Sequence, residues 1–288
     1  MKQIKTGILM TFGLLLLFPL ASADITTGFT LSNGGFNTDP QSADLSLVWG
    51  FSTGTGYDIN DLLSASVEVS REDLTGNFIN SRLSYTGTHV LISAGPSFAF
   101  LNNGESRIKP AINSSAAVRK EGLFCLSASY FSTIGGLSDR DSDYTQSQVN
   151  VSLSLNIPGA ICTFSFENSQ FSRYGDYSNY LSLTKDGRSV YQMEADLYRK
   201  NIPFNLLISL GYKSNRRVFP SDDADSRDTA AYGHIFVGAG TIVRIGKKFE
   251  LKALMDYSLY SFSLSGDLPA DIIPDFLFKV ETEFIYKF

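Results

Sequence analysis

The sequence predicts an all-β fold, a transmembrane antiparallel up-and-down β-barrel of about fourteen strands, with twelve or sixteen as the alternatives. Three observations carry this. The C-terminal segment puts Phe278, Val280, Thr282, Phe284, Tyr286 and Phe288 on one face and Lys279, Glu281, Glu283, Ile285 and Lys287 on the other, a period of two with an aromatic and a charged side. The same alternation recurs along the chain in segments of ~9–14 residues, enough for a tilted crossing strand. The connections are short and long in turn, which sorts the loops by length onto two rims.

Taken in order, the chain opens on Lys2 and Lys5, an apolar run from Ile8 to Leu20, and Ala21-Ser22-Ala23. This reads as a secretory signal peptide over residues 1–23, with Asp24 the first mature residue. The apolar run falls short of the ~20 residues a spanning helix needs. No Cys follows the cleavage site, which argues against a lipoprotein. Residues 24–288 form one expected barrel domain, undivided by a charged linker or low-complexity tract.

The expected strands lie near 25–33, 43–52, 61–70, 77–86, 89–100, 107–118, 122–132, 146–157, 160–171, 188–199, 203–213, 230–244, 248–262 and 275–288. Alternation is cleanest in three of them. Leu63, Ala65, Val67 and Val69 oppose Ser64, Ser66, Glu68 and Ser70. Val149, Val151, Leu153 and Leu155 oppose Gln148, Asn150, Ser152, Ser154 and Asn156. Phe204, Leu206, Ile208, Leu210 and Tyr212 oppose Asn205, Ser209, Gly211 and Lys213. The short connections are Thr86-Gly87-Thr88, Lys120-Glu121, Pro158-Gly159, Asn201-Ile202 and Ile245-Gly246-Lys247. The long ones run from Asn33 to Ser42, Thr133 to Thr145, Ser172 to Gly187, Ser214 to Thr229 and Ser263 to Pro274. Thr53 to Asn60 breaks the pattern as a turn that is too long, and Asn179 to Thr184 alternates weakly enough to be a further short hairpin. Aromatics gather near the segment ends, at Trp49, Phe51, Tyr85, Phe98, Phe100, Tyr130, Tyr212, Tyr257, Tyr286 and Phe288, where interfacial girdles sit.

On this terminal strand the chain resembles the bacterial outer-membrane β-barrel proteins, whose last strand ends in Phe with aromatics at alternate positions. The resemblance implies that Phe284, Tyr286 and Phe288 are an insertion signal read by the barrel-assembly machinery. It also implies residence in the bacterial outer membrane, periplasmic chaperones and outer-membrane lipid as partners, and periplasmic termini. In size and strand count the chain is similar to the fourteen-stranded monomeric porins, on architecture and no binding motif. The fatty-acid transporters among fourteen-stranded barrels carry an N-terminal hatch, for which this reading finds no segment.

Twenty-two Phe and 14 Tyr with a mean hydropathy of −0.01 fit a chain divided between lipid and water. A net charge of −5 without a basic patch makes nucleic acid a poor partner. Cys125 and Cys162 fall on opposite faces of non-adjacent strands, beyond the ~7 Å reach of a disulfide, and read as two buried small apolar residues. The register turns Asp44, Glu68, Glu167, Glu194, Asp196, Glu250, Asp256, Glu281 and Glu283 inward, with Arg82, Lys109, Arg119, Lys213, Arg244, Lys252, Lys279 and Lys287. A charge facing lipid near the midplane is destabilising by roughly 2–4 kcal/mol, so the interior is expected to be wet and of mixed charge. About fourteen strands enclose more space than side chains readily fill.

The expected function is therefore a porin-like channel for passive diffusion of small hydrophilic solutes, lined by these charges, with no chemical step and no cofactor. A surface adhesin or antigen standing on a barrel pedestal is the alternative, resting on 133–145 and 214–229, and a transporter of hydrophobic molecules is a third. Enzyme chemistry lacks its parts. His89 sits at a turn, His234 reads as a solvated rim residue, and no His/Cys pair has metal spacing. The acidic runs Asp139-Arg140-Asp141-Ser142-Asp143 and Ser221-Asp222-Asp223-Ala224-Asp225 lack the glycine and terminal Glu of a helix–loop–helix calcium site. They read as solvated loops, the second paired with Arg216-Arg217.

Overall fold

The computed structural model describes residues 23–32, 48–72, 76–100, 108–138, 143–177, 180–198, 202–220, 227–246, 248–264 and 278–287. Fourteen strands close into an antiparallel barrel: β1 (Ala23–Ser32), β2 (Val48–Asp58), β3 (Leu63–Glu72), β4 (Gly76–Thr86), β5 (Val90–Phe100), β6 (Ile108–Lys120), β7 (Phe124–Thr133), β8 (Tyr144–Ile157), β9 (Ala160–Tyr177), β10 (Tyr180–Leu197), β11 (Phe204–Pro220), β12 (Arg227–Ile245), β13 (Phe249–Ser263) and β14 (Phe278–Tyr286). Each strand pairs with its sequence neighbours, and β14 returns to β1 from Ile25–Tyr286 to Ser32–Lys279. Closure matters because lipid offers no hydrogen bonds, and only a sheet without edges satisfies every backbone N–H and C=O.

Alternation sets the faces. Along β6, Lys109, Ala111 and Asn113 are buried while Ile108, Pro110 and Ile112 are exposed. The same pattern exposes Phe204, Leu206, Ile208 and Leu210 of β11 outward and turns Asn205, Leu207 and Ser209 inward. A row of rings crosses the outer face: Phe166 on Tyr191 (4.8 Å between centroids), Tyr191 on Tyr212 (6.3 Å), Tyr212 on Phe262 (6.1 Å) and Phe262 on Tyr260 (5.8 Å). Gly233 lies beneath the Tyr212–Phe262 contact, where a Cβ would come within 2.9 Å of the Tyr212 ring. At the opposite rim Phe249 packs on Phe284 and Tyr286, at 5.7 and 4.7 Å. These are the two interfacial girdles.

Beyond the upper girdle the outer face turns polar without loss of pairing. Asn168, Gln170 and Ser172 of β9, Ser189 and Lys185 of β10, and Ser214 and Arg216 of β11 continue the outward positions of those strands. Strands β9 to β12 thus have 18, 18, 17 and 19 residues against 10 to 11 in β1 to β5, and one side of the barrel stands well above the other.

The structure corrects several boundaries. Most of Ser172 to Gly187 and of Ser214 to Thr229, read as loops, is strand, because above the girdle polar and apolar residues mix on the outward positions, as with Ser172, Tyr174, Leu183 and Lys185, and the alternation that marks a strand is lost. The second strand is Val48–Asp58 and not 43–52; its inward Gly50, Gly54 and Gly56 mimic a turn in sequence. The overlong turn at Thr53 to Asn60 disappears with this shift, leaving residues 59–62, where the Asn60 side chain accepts the N–H groups of Leu62 and Leu63 at 2.9 Å. The short turn Pro158-Gly159 is tightened by Gly159 at φ 82°, left-handed geometry that glycine adopts at no steric cost. Asp44, Phe288, the segments 33–42 and 265–274 and most of both acidic runs lie outside the described residues.

Candidate functional site

The lumen is built from inward side chains held by cross-strand bonds, and glycines decide how those side chains reach one another. On β12, Gly238 faces inward between β11 and β13, and Ser209 Oγ donates to Asp256 Oδ1 at 2.8 Å directly across it. A Cβ there would lie 2.1 Å from the Asp256 carboxylate. On β5, Gly95 sits between Arg82 and Asn113, and Arg82 Nε donates to Asn113 Oδ1 at 2.9 Å over it. Lys252 of β13 meets Glu194 of β10 at 3.5 Å, with two strands between them, across the inward glycines of β12.

Two cavities adjoin inside the barrel. One, of about 360 Å³, is lined by Glu68, Arg82, Asn113, Gln146, Glu281 and Glu283, from β3, β4, β6, β8 and β14. The other, of about 260 Å³, is lined by Glu167, Arg188, Lys213, His234, Asp256 and Lys279, from β9 to β14. Thr30, Arg71 and Gln148 border both. Ion pairs hold many of these charges: Arg188 to Glu167 at 2.7 Å and Lys279 to Glu281 at 2.7 Å. Towards the short-turn rim Asp196 accepts from Asn205 at 3.0 Å, Arg119 reaches the Gly87 carbonyl at 3.4 Å, and Arg244 pairs with Glu250 at 2.9 Å.

Each charged residue that the sequence register turned inward, where the structure describes it within a strand, lies on an inward position. Lys109 nevertheless presents no charge to the cavities. It is 4% exposed and closes on Asp143 at 2.6 Å and on the Gly136 carbonyl at 2.9 Å, pinning the β7–β8 connection to the wall. Burial works to raise the Asp143 carboxyl, but the Lys109 ammonium with the Ser138 hydroxyl and N–H outweighs it and holds the group well below the usual carboxylate range. Asp143 is therefore no solvated loop residue.

Arg217 pairs with Asp186 at 2.6 Å inside the barrel and Arg216 points outward, while the acidic run after them lies outside the described residues. His234 is no solvated rim histidine: it is 5% exposed, stacked with Tyr232 and tilted against Phe236. Cys125 and Cys162 are free and half-buried, Cys125 inward and Cys162 outward.

Sequence reasoning missed the apolar part of the lumen. Phe78, Phe131, Tyr144 and Phe171 cluster inward near the long-loop rim, and Leu207, Ile242 and Leu254 pack together across β11 to β13. An expected polar interior gave no reason to look for them; the signal was an apolar residue at each inward position, as with Leu207 in β11. Arg71, on an outward position of β3, lies 4.4 Å over the Trp49 ring and also borders both cavities. Among the described residues no cluster of His, Cys, Asp and Glu could hold a metal ion.

The architecture is that of outer-membrane β-barrels. An outer-membrane channel from Pseudomonas putida F1 superposes with a TM-score of 0.52 at 11% identity, over 94% of this chain and 97% of that one. A bacterial polysaccharide outer membrane secretin gives 0.50 at 10% identity, over 92% and 98%. At such identities the likeness is one of fold. No family model and no curated protein matches the sequence.

Proposed function

We propose that this protein is a bacterial outer-membrane channel through which small hydrophilic solutes diffuse passively. The observation that supports this is the pair of adjoining cavities inside a closed fourteen-stranded wall, lined by carboxylates, guanidinium and ammonium groups and amides. Solutes are sorted by size and by the local field of Glu68, Arg82, Glu194, Lys213, Lys252, Asp256, Lys279, Glu281 and Glu283, with Arg119 and Asp196 nearer the short-turn mouth. The chain is exported by its signal peptide, handed over by periplasmic chaperones and inserted by the assembly machinery, which reads Phe284, Tyr286 and Phe288. No chemical step and no cofactor enters this reading.

The raised wall of β9 to β12 supports a second reading, a surface-binding protein. Its outward Gln170, Lys185 and Arg216 stand above the upper girdle, where a partner could reach them.

Single-channel recording of residues 24–288 in a planar bilayer separates the two. Stable ohmic steps with weak ion selectivity are expected. Protein that is folded by heat-modifiable gel mobility and yet silent would overturn the channel reading and leave the raised wall as the functional part.

A further inference from the structure

We propose that the cavity lined by Glu68, Asn80 and Arg82 is a binding station for a free α-amino acid, its carboxylate on Arg82, its ammonium at Glu68 and Asn80, and its side chain towards the Phe78–Phe131 pair. The inference deepens the channel reading and rests on it for the route by which the solute arrives.

Register sets three unlike groups side by side. Phe78, Asn80 and Arg82 are successive inward positions of β4, about 7 Å apart. Glu68 of β3 is the direct cross-strand partner of Asn80. All four line the cavity. Along this wall they offer an apolar ring, a pair of acceptors and a cation. An α-amino acid carries the complement of each on one carbon.

The charges here are not spent on one another. Arg82 Nε donates to Asn113 Oδ1 at 2.9 Å, and Asn113 is itself fixed, its Nδ2 donating to the Ser97 hydroxyl at 2.5 Å and to the Ser81 carbonyl at 3.2 Å. That bond orients the guanidinium and leaves both Nη groups without a partner among the described residues. A guanidinium held this way is a fork ready for a carboxylate. Glu68 is the diagonal neighbour of Arg82 across β3 and β4, yet it makes no ion pair or hydrogen bond among the described residues.

The other charges of the cavity are Arg71, Glu281 and Glu283. Glu281 is paired with Lys279 at 2.7 Å, and Arg71 lies over the Trp49 ring on an outward position. Glu283 is open: its cross-strand partner Lys252 turns to Glu194 at 3.5 Å and does not line the cavity. Two open carboxylates disfavour a plain anion, and an open guanidinium beside them disfavours a plain cation. A zwitterion answers both signs at once.

Buried amide oxygens ask for donors as well. The side-chain oxygens of Asn80, Gln146 and Asn150 are buried and accept no hydrogen bond, and all three residues line this cavity; Gln146 is 4% exposed. Buried polar atoms are ordinarily bonded. An ammonium, with three N–H groups and no acceptor, suits a set of oxygens that lack donors. Phe78 and Phe131 meet edge to face at 5.3 Å and give the side chain an apolar surface. A volume of about 360 Å³ falls at the lower end of the range for small-molecule sites.

Isothermal titration calorimetry of the folded barrel in non-ionic detergent reads binding without current. L-leucine is expected to bind saturably. Isocaproate lacks its ammonium and isoamylamine its carboxylate, and each is expected to bind about tenfold or more weakly. Glu68→Gln should weaken leucine by a similar factor and leave isocaproate unchanged. Arg82→Gln should weaken leucine and leave isoamylamine unchanged. A merely structural loss would lower all three ligands together and count against the assignment. No saturable heat with leucine, or an analogue lacking one charge that binds as tightly, would overturn the proposal. Wild-type protein alone decides both points if a variant fails to fold. Saturable binding by protein that is silent in bilayers would sink the channel reading and leave the station standing; conducting protein that binds no leucine would do the reverse.

Discussion

The two sides of this barrel use the same ladder in different surroundings. Strands β1 to β5 are 10 to 11 residues long, little more than the membrane requires. Strands β9 to β12 run to 17 to 19 residues, and their outer face changes from Phe164, Phe166, Tyr191 and Tyr212 to Gln170, Lys185 and Arg216 while pairing continues. Hydrophobic alternation therefore reports where lipid is, not where strand is. Above the girdle the wall must be held by other means, and the structure places its two most buried ion pairs towards that rim: Arg217–Asp186 on the raised side and Lys109–Asp143 where β6 meets the β7–β8 connection.

The sharpest way to break this contrast is to remove one partner of a buried pair. Arg217→Met or Asp186→Asn alone is expected to destabilise the folded barrel by roughly 3–5 kcal/mol, because it strands a buried charge. The double replacement should recover much of that loss. Arg244→Gln at the exposed Arg244–Glu250 pair should cost no more than about 1 kcal/mol. Urea unfolding in lipid vesicles measures all four; equal costs at the two pairs would deny that burial distinguishes them.

Next in size is a charge on the outer face. Phe164→Arg, inside the apolar band of β9, is expected to cost roughly 2–4 kcal/mol, while Asn168→Arg on the same face should cost about 0–1 kcal/mol. Similar penalties in vesicles would mean the membrane boundary does not lie at the Phe166–Tyr191–Tyr212 row.

On the low side, Gly95→Ala should cost about 1–3 kcal/mol, since its Cβ would meet the Ser81 carbonyl oxygen at 1.9 Å and force β4 from β5. A neutral Gly95→Ala in the same unfolding assay would show that this pair of strands can part freely.

The smallest effect concerns pH. The Asp143 carboxyl lies below its unfolded value of about 3.9, so its contribution is complete above that value and is lost only as pH falls through the depressed folded one. The stability gap between wild type and Asp143→Asn should thus hold from neutrality to about pH 4 and shrink at lower pH. A gap already closing near pH 6 would show that the carboxylate is not held by Lys109.

Part of the site was legible in sequence and part was not. Glu281, Glu283 and Lys279 could be assigned to the lumen because Phe284, Val280 and Phe278 alternate with them, and lipid on one side leaves no other arrangement. Leu207, Phe78 and Phe171 could not, because apolar residues on both faces erase the period that identifies a side. His234 was misread for a related reason: its neighbours Tyr232 and Phe236 share its face, so the segment shows no polar–apolar contrast at all.

What the sequence determined by itself is the barrel and the inward side of its charged strands, since each follows from a period of two against lipid and from backbone groups that must pair within the wall; the choice of fourteen strands over twelve or sixteen came from the closed ring itself. Only the tertiary structure decided which inward charges meet. Lys252 and Glu194 are separated by two strands, Arg82 and Asn113 by one, and Lys109 and Asp143 by a connection folded back upon the wall. These contacts depend on curvature, register and the glycines that leave room between strands, and no local pattern along the chain encodes the distance across a closed ring.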